Sequence, residues 1–257
     1  MTTKAHTCTR TGLRLVPARP AELTWRVAKA ARGGLSAPPR EAAEPVQEWN
    51  RYDTIGSTLY LASTQGTALM EVLSPFKRTL GAADVLAKDA AALGLSLGAF
   101  VDAIAEEWGQ RYFMGTGCLP AIWRDERSVY RIRLPEHGWW VDIEHPDSIA
   151  ALAHHLEAQL AAGGVAHLTT AHLRGDSRAI TTAVAEWVRA QVLDDGAVPL
   201  GVRFGSKHRG GSSWAYWMRR VDLGLDGEPL QEVGATNISP TMAALTQVCE
   251  RLGIRAH

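Results

Sequence analysis

Ser57-Thr58-Leu59-Tyr60-Leu61-Ala62, followed directly by Ser63-Thr64-Gln65-Gly66-Thr67-Ala68-Leu69-Met70-Glu71-Val72-Leu73, decides the fold class. The first segment follows a turn at Gly56 and reads as a strand. Ser63 or Thr64 supplies a hydroxyl suited to cap a helix. Ala68, Leu69, Val72 and Leu73 then recur at helical spacing, and Pro75 stops the helix soon after Glu71. A strand that passes into a capped helix within two residues belongs to a mixed α and β fold.

Upstream, residues 23–28 alternate, with Leu23, Trp25 and Val27 on one face and Thr24, Arg26 and Ala28 on the other. This predicts a strand that turns Arg26 away from Trp25. Residues 1–20, polar and carrying Pro17 and Pro20, read as a loose N-terminal arm, and 33–47 as a loop rich in Gly, Pro and Ala. Downstream, 79–112 is mostly helical in pattern, most clearly at 96–108, where Leu97, Phe100, Val101, Ile104, Ala105 and Trp108 form a stripe. Residues 128–134 and 138–143 read as strands. A helix is expected from Asp147/Ser148 to Gly163-Gly164, then a short strand over Val165–Leu168, then a helix over about 178–193. Strands follow at 200–206 and 214–218, around the basic turn Lys207-His208-Arg209-Gly210-Gly211. Ser239 and Pro240 read as the cap and first residue of a last helix. The interspersed pattern predicts an α+β fold with a mixed sheet and surrounding helices.

Composition narrows the function classes. The 257 residues carry 27 Lys+Arg against 27 Asp+Glu, a balance that argues against direct nucleic-acid binding. Cys8, Cys118 and Cys249 are far apart and form neither a metal-ligand spacing nor an even disulfide set, which suits a reducing cytosol. No apolar run follows the first residues as in a secretory leader, and no stretch of 18 apolar residues predicts a membrane span, so a cytoplasmic location is expected. Walker, GxGxxG, HExxH and GxSxG motifs are absent. His154 and His155 would point about 100° apart on a helix and do not converge on a metal, so no metal is expected.

Arg26, a charge in an apolar strand, Arg51 before the Gly56 turn, and Glu71 in an apolar helix stand out by position. Each alone reads equally as a surface charge or a structural ion pair. Together they fit a site for a phosphorylated, positively polarised substrate: arginine forks suit phosphates, and a carboxylate stabilises a developing oxocarbenium ion.

The stretch Arg51-Tyr52-Asp53…Gly56…Leu59-Tyr60-Leu61-Ala62…Ala68-Leu69-Met70-Glu71-Val72 resembles the first motif of RES-domain proteins, a family named for an Arg, a Glu and a Ser. Thr24-Trp25-Arg26-Val27 resembles the family's opening strand. The run from Thr181 to Trp187, then Asp195-Gly196, Gly201-Val202-Arg203-Phe204-Gly205-Ser206 and Trp214-Ala215, resembles its closing motif. The matched pieces cover about residues 22–75 and 165–220. Tyr52 and Asp53 replace the Trp and Asn that often follow the motif Arg, and the segment between the motifs is longer than in compact members.

The resemblance implies a fold like that of the ADP-ribosyltransferase toxins, with one domain over 1–257 and a helical insertion at 79–112. It implies an enzyme that consumes NAD+ by breaking the nicotinamide–ribose bond, as a glycohydrolase or phosphorylase, and that acts as the toxin partner of an Xre-type antitoxin. An ADP-ribosyltransferase acting on a protein, or a non-catalytic binding module, are the alternative readings. Homo-oligomerisation is left open. Carried over by motif, Arg26 and Arg51 would grip the NAD+ phosphates or ribose, and Tyr60 would line or stack on the nicotinamide. Glu71 would stabilise the ribosyl cation, and Ser206 would complete the nicotinamide–ribose pocket. Glu71, Arg51 and Tyr60 are thus the expected catalytic residues, and Arg26, Arg51, Tyr60 and Ser206 the expected NAD+-binding ones.

Overall fold

The computed structural model describes residues 4–77, 86–108, 117–208 and 211–257. Among them, ten strands build one mixed sheet. The first five are β1 (His6–Thr7), β2 (Arg14–Pro17), β3 (Leu23–Lys29), β4 (Pro39–Arg40) and β5 (Gly56–Ala62). After β6 (Cys118–Leu119), which lies outside this sheet, come β7 (Arg127–Arg133), β8 (Trp139–Asp142), β9 (Gly201–Gly205), β10 (Ser212–Trp217) and β11 (Gln231–Asn237). Their order across the sheet is β1-β2-β8-β9-β10-β5-β3-β7-β11, with β4 also on β5. Only β8 and β9 run parallel within it; β6 pairs separately with β12 (Arg255–Ala256). The fold is mixed α+β.

One weak seam positions the site. β3 pairs with β7 along its whole length, from Leu23–Arg133 to Lys29–Arg127. β5 pairs with β10 from Thr58–Trp217 to Ala62–Ser213. β3 and β5 meet only at Trp25–Ala62. The two halves of the sheet are therefore tied at one corner and diverge from it, because strands carrying their own twist separate where no ladder holds them.

Three apolar clusters hold this arrangement. Helices α5 (Pro146–His155), α6 (Glu157–Ala162), α7 (Thr170–Arg174) and α8 (Arg178–Arg189) bury Leu152, Leu160, Ile180 and Val184 against Val141, Val202 and Phe204. The opposite sides of β5 and β10 place Leu59, Leu61, Trp214 and Tyr216 with Tyr130, Ile132 and Trp140. Helix α1 (Gln65–Leu73) and the last helix, α10 (Ala243–Leu252), with α4 (Ala121–Asp125) between them in sequence, enclose Leu69, Leu73, Leu245, Val248, Trp123 and Val129. The alternation along β5, Leu59 and Leu61 one way and Tyr60 the other, is what a strand buried on both faces requires.

Several expectations change. Of the arm expected over 1–20, the described residues 4–20 are not loose: β2 pairs with β8, and Leu13 and Leu15 are fully buried. The strand is too short for its period to show. The helix expected over 147–163 is two helices, broken where Leu156 leaves helical geometry (φ −111°, ψ 19°). Val165–Leu168 is not a strand but a connector into α7, whose start is closed by a capping box between Thr169 and His172. Ser239 and Pro240 form a turn, and α10 begins at Ala243 instead. The edge strand β11 escapes periodicity because nearly all of it is exposed. Of 79–112, residues 79–85 and 109–112 lie outside the described residues. The rest gives α2 (Ala87–Ala92) and α3 (Leu97–Trp108), where Val101 and Ala105 are buried but Trp108 is 65% exposed.

Candidate active site

The seam between β3 and β5 opens into a cleft of about 440 Å³. Trp25, Arg26 and Val27 line it from one strand, Tyr60, Leu61 and Ala62 from the other; Arg51, Glu71, Arg178 and Lys207 make its polar end, with Phe204 also in the lining. Glu71 arrives because Thr64, rather than Ser63, caps α1: its hydroxyl accepts the Thr67 N–H at 3.0 Å. Helix α1 thus starts right after β5 and presents Glu71, its seventh residue, to the seam.

Ser206 lies one residue beyond β9, and its Oγ–H donates to Glu71 Oε1 at 2.6 Å. Ser206 Oγ in turn accepts the His208 N–H at 3.2 Å, so the hydroxyl proton is committed to the carboxylate. Arg51 Nη2 approaches Glu71 Oε2 at 3.5 Å, the long limit of a hydrogen bond. The Arg51 guanidinium also lies 5.1 Å from the centre of the Phe204 ring, a cation–π distance. Arg51, Glu71 and Ser206 therefore form one constellation. Burial pushes the His208 imidazole below its ordinary pKa despite nearby Glu71, which favours the neutral ring at pH 7.

Tyr60 lines the cleft, but its hydroxyl is engaged. It donates to Asp53 Oδ1 at 2.8 Å and accepts the Tyr52 N–H at 2.9 Å. Asp53 is also held by Arg40 Nε at 2.8 Å and the Asn50 N–H at 2.9 Å. Burial, and then Asp53, push the Tyr60 phenol well up, so it offers a ring face and not an acid or base. Tyr52 and Asp53, the departures from the motif, thus brace the loop that carries Arg51. Arg26 gives Nη2 to the Ser36 carbonyl at 2.9 Å, and its Nε is buried without a partner among the described residues. Burial lowers its guanidinium to about 10, which leaves it charged at neutral pH.

All five expected residues thus meet: four line the cleft and Ser206 holds Glu71 from its edge. Sequence reasoning missed Arg178 and placed Lys207 only in a basic turn between two strands. A signal for Arg178 existed: a cation opening a helix opposes the helix dipole and calls for a reason. His154 and His155 stay apart from the site, His155 stacking on Trp187. Among the described residues no His, Cys, Asp or Glu cluster could hold a metal ion, and no helix is long and apolar enough to cross a membrane.

Comparison with known proteins adds nothing to this geometry: the chain matches no family model, no curated protein and no solved structure.

Proposed function

We propose that this chain is an NAD+-consuming enzyme that cleaves the nicotinamide–ribose bond, a glycohydrolase or phosphorylase on an ADP-ribosyltransferase-like fold. The observation that carries the reading is a carboxylate, Glu71, held by Ser206 in a cleft whose other charged lining residues, Arg26, Arg51, Arg178 and Lys207, are all cations. The split sheet with its cleft at the seam supports the fold assignment.

The chemistry follows from charge. As the ribose C1′–nitrogen bond breaks, its electron pair neutralises the pyridinium, so nicotinamide departs without a general acid. Positive charge grows on the ribose, where Glu71 stabilises it. Arg26 and Arg51 hold the anionic half of the substrate, and the Tyr60 ring and Phe204 supply apolar wall. Water or phosphate then bonds to C1′, and water's surplus proton leaves to solvent. On this reading the enzyme is the toxin of a pair, restrained by an Xre-type antitoxin.

The test is Glu71→Gln. It keeps the size of the side chain and removes the charge, at an expected cost of about 3–4 kcal/mol in the transition state, roughly 10²–10³-fold in nicotinamide release. Circular dichroism should be unchanged. Induced in a bacterial host, wild type should deplete NAD+ and arrest growth while the variant does neither. Full nicotinamide release by a folded variant would sink the role of Glu71. Absence of release from wild type would sink NAD+ cleavage.

A further inference from the structure

The cleft's polar end carries donors that its own carboxylate does not use. Arg51 is only 9% exposed, and its Nη1 is buried with no hydrogen-bond partner among the described residues. Arg178 Nη1 is in the same condition, while its Nε donates to the Trp49 carbonyl at 2.8 Å and so fixes the fork. Arg178 is the first residue of α8, and the Ser177 side chain makes no capping bond there. The free N–H groups of that first turn therefore add to the positive field. Lys207, one residue past Ser206, completes the group.

Desolvated guanidinium N–H groups left without acceptors destabilise a fold, so their persistence in a cleft points to a ligand that supplies the acceptors. Arginine forks match phosphoryl oxygens two at a time. Two forks and an ammonium exceed what one carboxylate ligand would satisfy; a diphosphate brings two charges and oxygens enough for all three. Meanwhile Asp176, on the loop between α7 and α8, occupies part of the group. It accepts from Lys207 Nζ at 2.9 Å and lies 3.8 Å from Arg178 Nη2, yet its side chain is 75% exposed. An exposed ion pair is weakly held and easily exchanged.

We propose that Arg51, Arg178 and Lys207 form a diphosphate-binding subsite in which Asp176 is a resident counter-ion that the ligand displaces. This rests on the reading of the cleft as an NAD+ site and refines it, since it adds Arg178 and Lys207, which the motif resemblance does not supply, to Arg51 as the holders of the pyrophosphate. Displacement frees Lys207 to swing from Asp176 to the ligand. Asp176 thus competes with the substrate's own anion.

The experiment is calorimetry on the full chain with ADP, which has the diphosphate but no nicotinamide–ribose bond, and with adenosine as control. ADP should bind at least about tenfold tighter than adenosine. Lys207→Ala should weaken ADP roughly tenfold, and Arg178→Lys, which keeps the charge and loses the fork, about fivefold. Asp176→Asn should do the opposite and tighten ADP about threefold. Adenosine affinity should stay level throughout. ADP binding no tighter than adenosine, unchanged ADP affinity in folded Lys207→Ala and Arg178→Lys, or no tightening in Asp176→Asn would overturn the proposal. The outcome is separable from that of NAD+ cleavage: an intact ADP pattern without nicotinamide release sinks cleavage alone, and release without the ADP pattern sinks the subsite alone.

Discussion

Ser206 sets the direction of the Glu71 carboxylate through one hydrogen bond of 2.6 Å, and its backbone N–H ties to the Gly211 carbonyl at 3.0 Å, closing the turn that holds it there. Gly211 suits that turn for a reason of its own: its φ is +120°, and a side chain there would overlap Ser63. Ser206→Ala should leave the charge of Glu71 in place but free it to rotate toward Arg51. A bond to a charged group contributes roughly 1.5–3 kcal/mol, so kcat for nicotinamide release should fall about 10–100-fold. KM should move less than about threefold, because Ser206 is bonded to Glu71 and does not itself line the cleft. A fall carried mainly by KM would make Ser206 a binding group, and unchanged kcat would remove its positioning role.

At the scale of elements, β9 and β10 deliver the site by running unusually close. Gly201 faces Tyr216 across the pair, and a Cβ at Gly201 would overlap the Ala215 carbonyl oxygen, which is backbone and has nowhere to go. Gly205, at the other end of β9, would meet the Arg174 guanidinium, itself forked onto Glu144 at 2.8 and 2.5 Å. Gly201→Ala should therefore cost about 3 kcal/mol or more, the upper range for overpacking, and Gly205→Ala about 1–2 kcal/mol, since a side chain can shift aside. Urea unfolding of both variants checks the order. Equal losses, or the reverse ranking, would mean that the strands adjust more easily than the packing indicates.

For the whole molecule, the N-terminal segment is the edge that closes the sheet. Leu13 and Leu15 sit in the same cluster as Val141, Val184 and Phe204, and Phe204 lies under Arg51. Leu15→Ala should cost about 2–5 kcal/mol, a large part of the total for a domain of ordinary stability. Thermal unfolding should show a clear drop in Tm. A loose arm would give none, so an unchanged Tm would restore that picture.

The chain's own residues made much of this legible in advance. Local signals reach a few positions: a hydroxyl cap at Ser63 or Thr64, the strand at 57–62 and the helix from about 178 each rest on neighbours one to four residues apart, and the structure has a cap at Thr64, β5 at Gly56–Ala62 and α8 at Arg178–Arg189. Arg26 and Glu71 were legible as well, because a charge in an apolar strand or helix is conspicuous, whereas Tyr60 and Ser206 were marked only by the motif resemblance. What only the tertiary structure decided is distance. Glu71 and Ser206 are 135 residues apart in sequence, and nothing local states that β9 ends beside α1. The splitting of β3 from β5 at Trp25–Ala62, the folding of β2 onto β8, and the approach of Arg178 and Lys207 through Asp176 are likewise set by sheet order and packing. Pairing between distant strands is fixed by the burial of whole faces at once, so no single stretch of the sequence contains it.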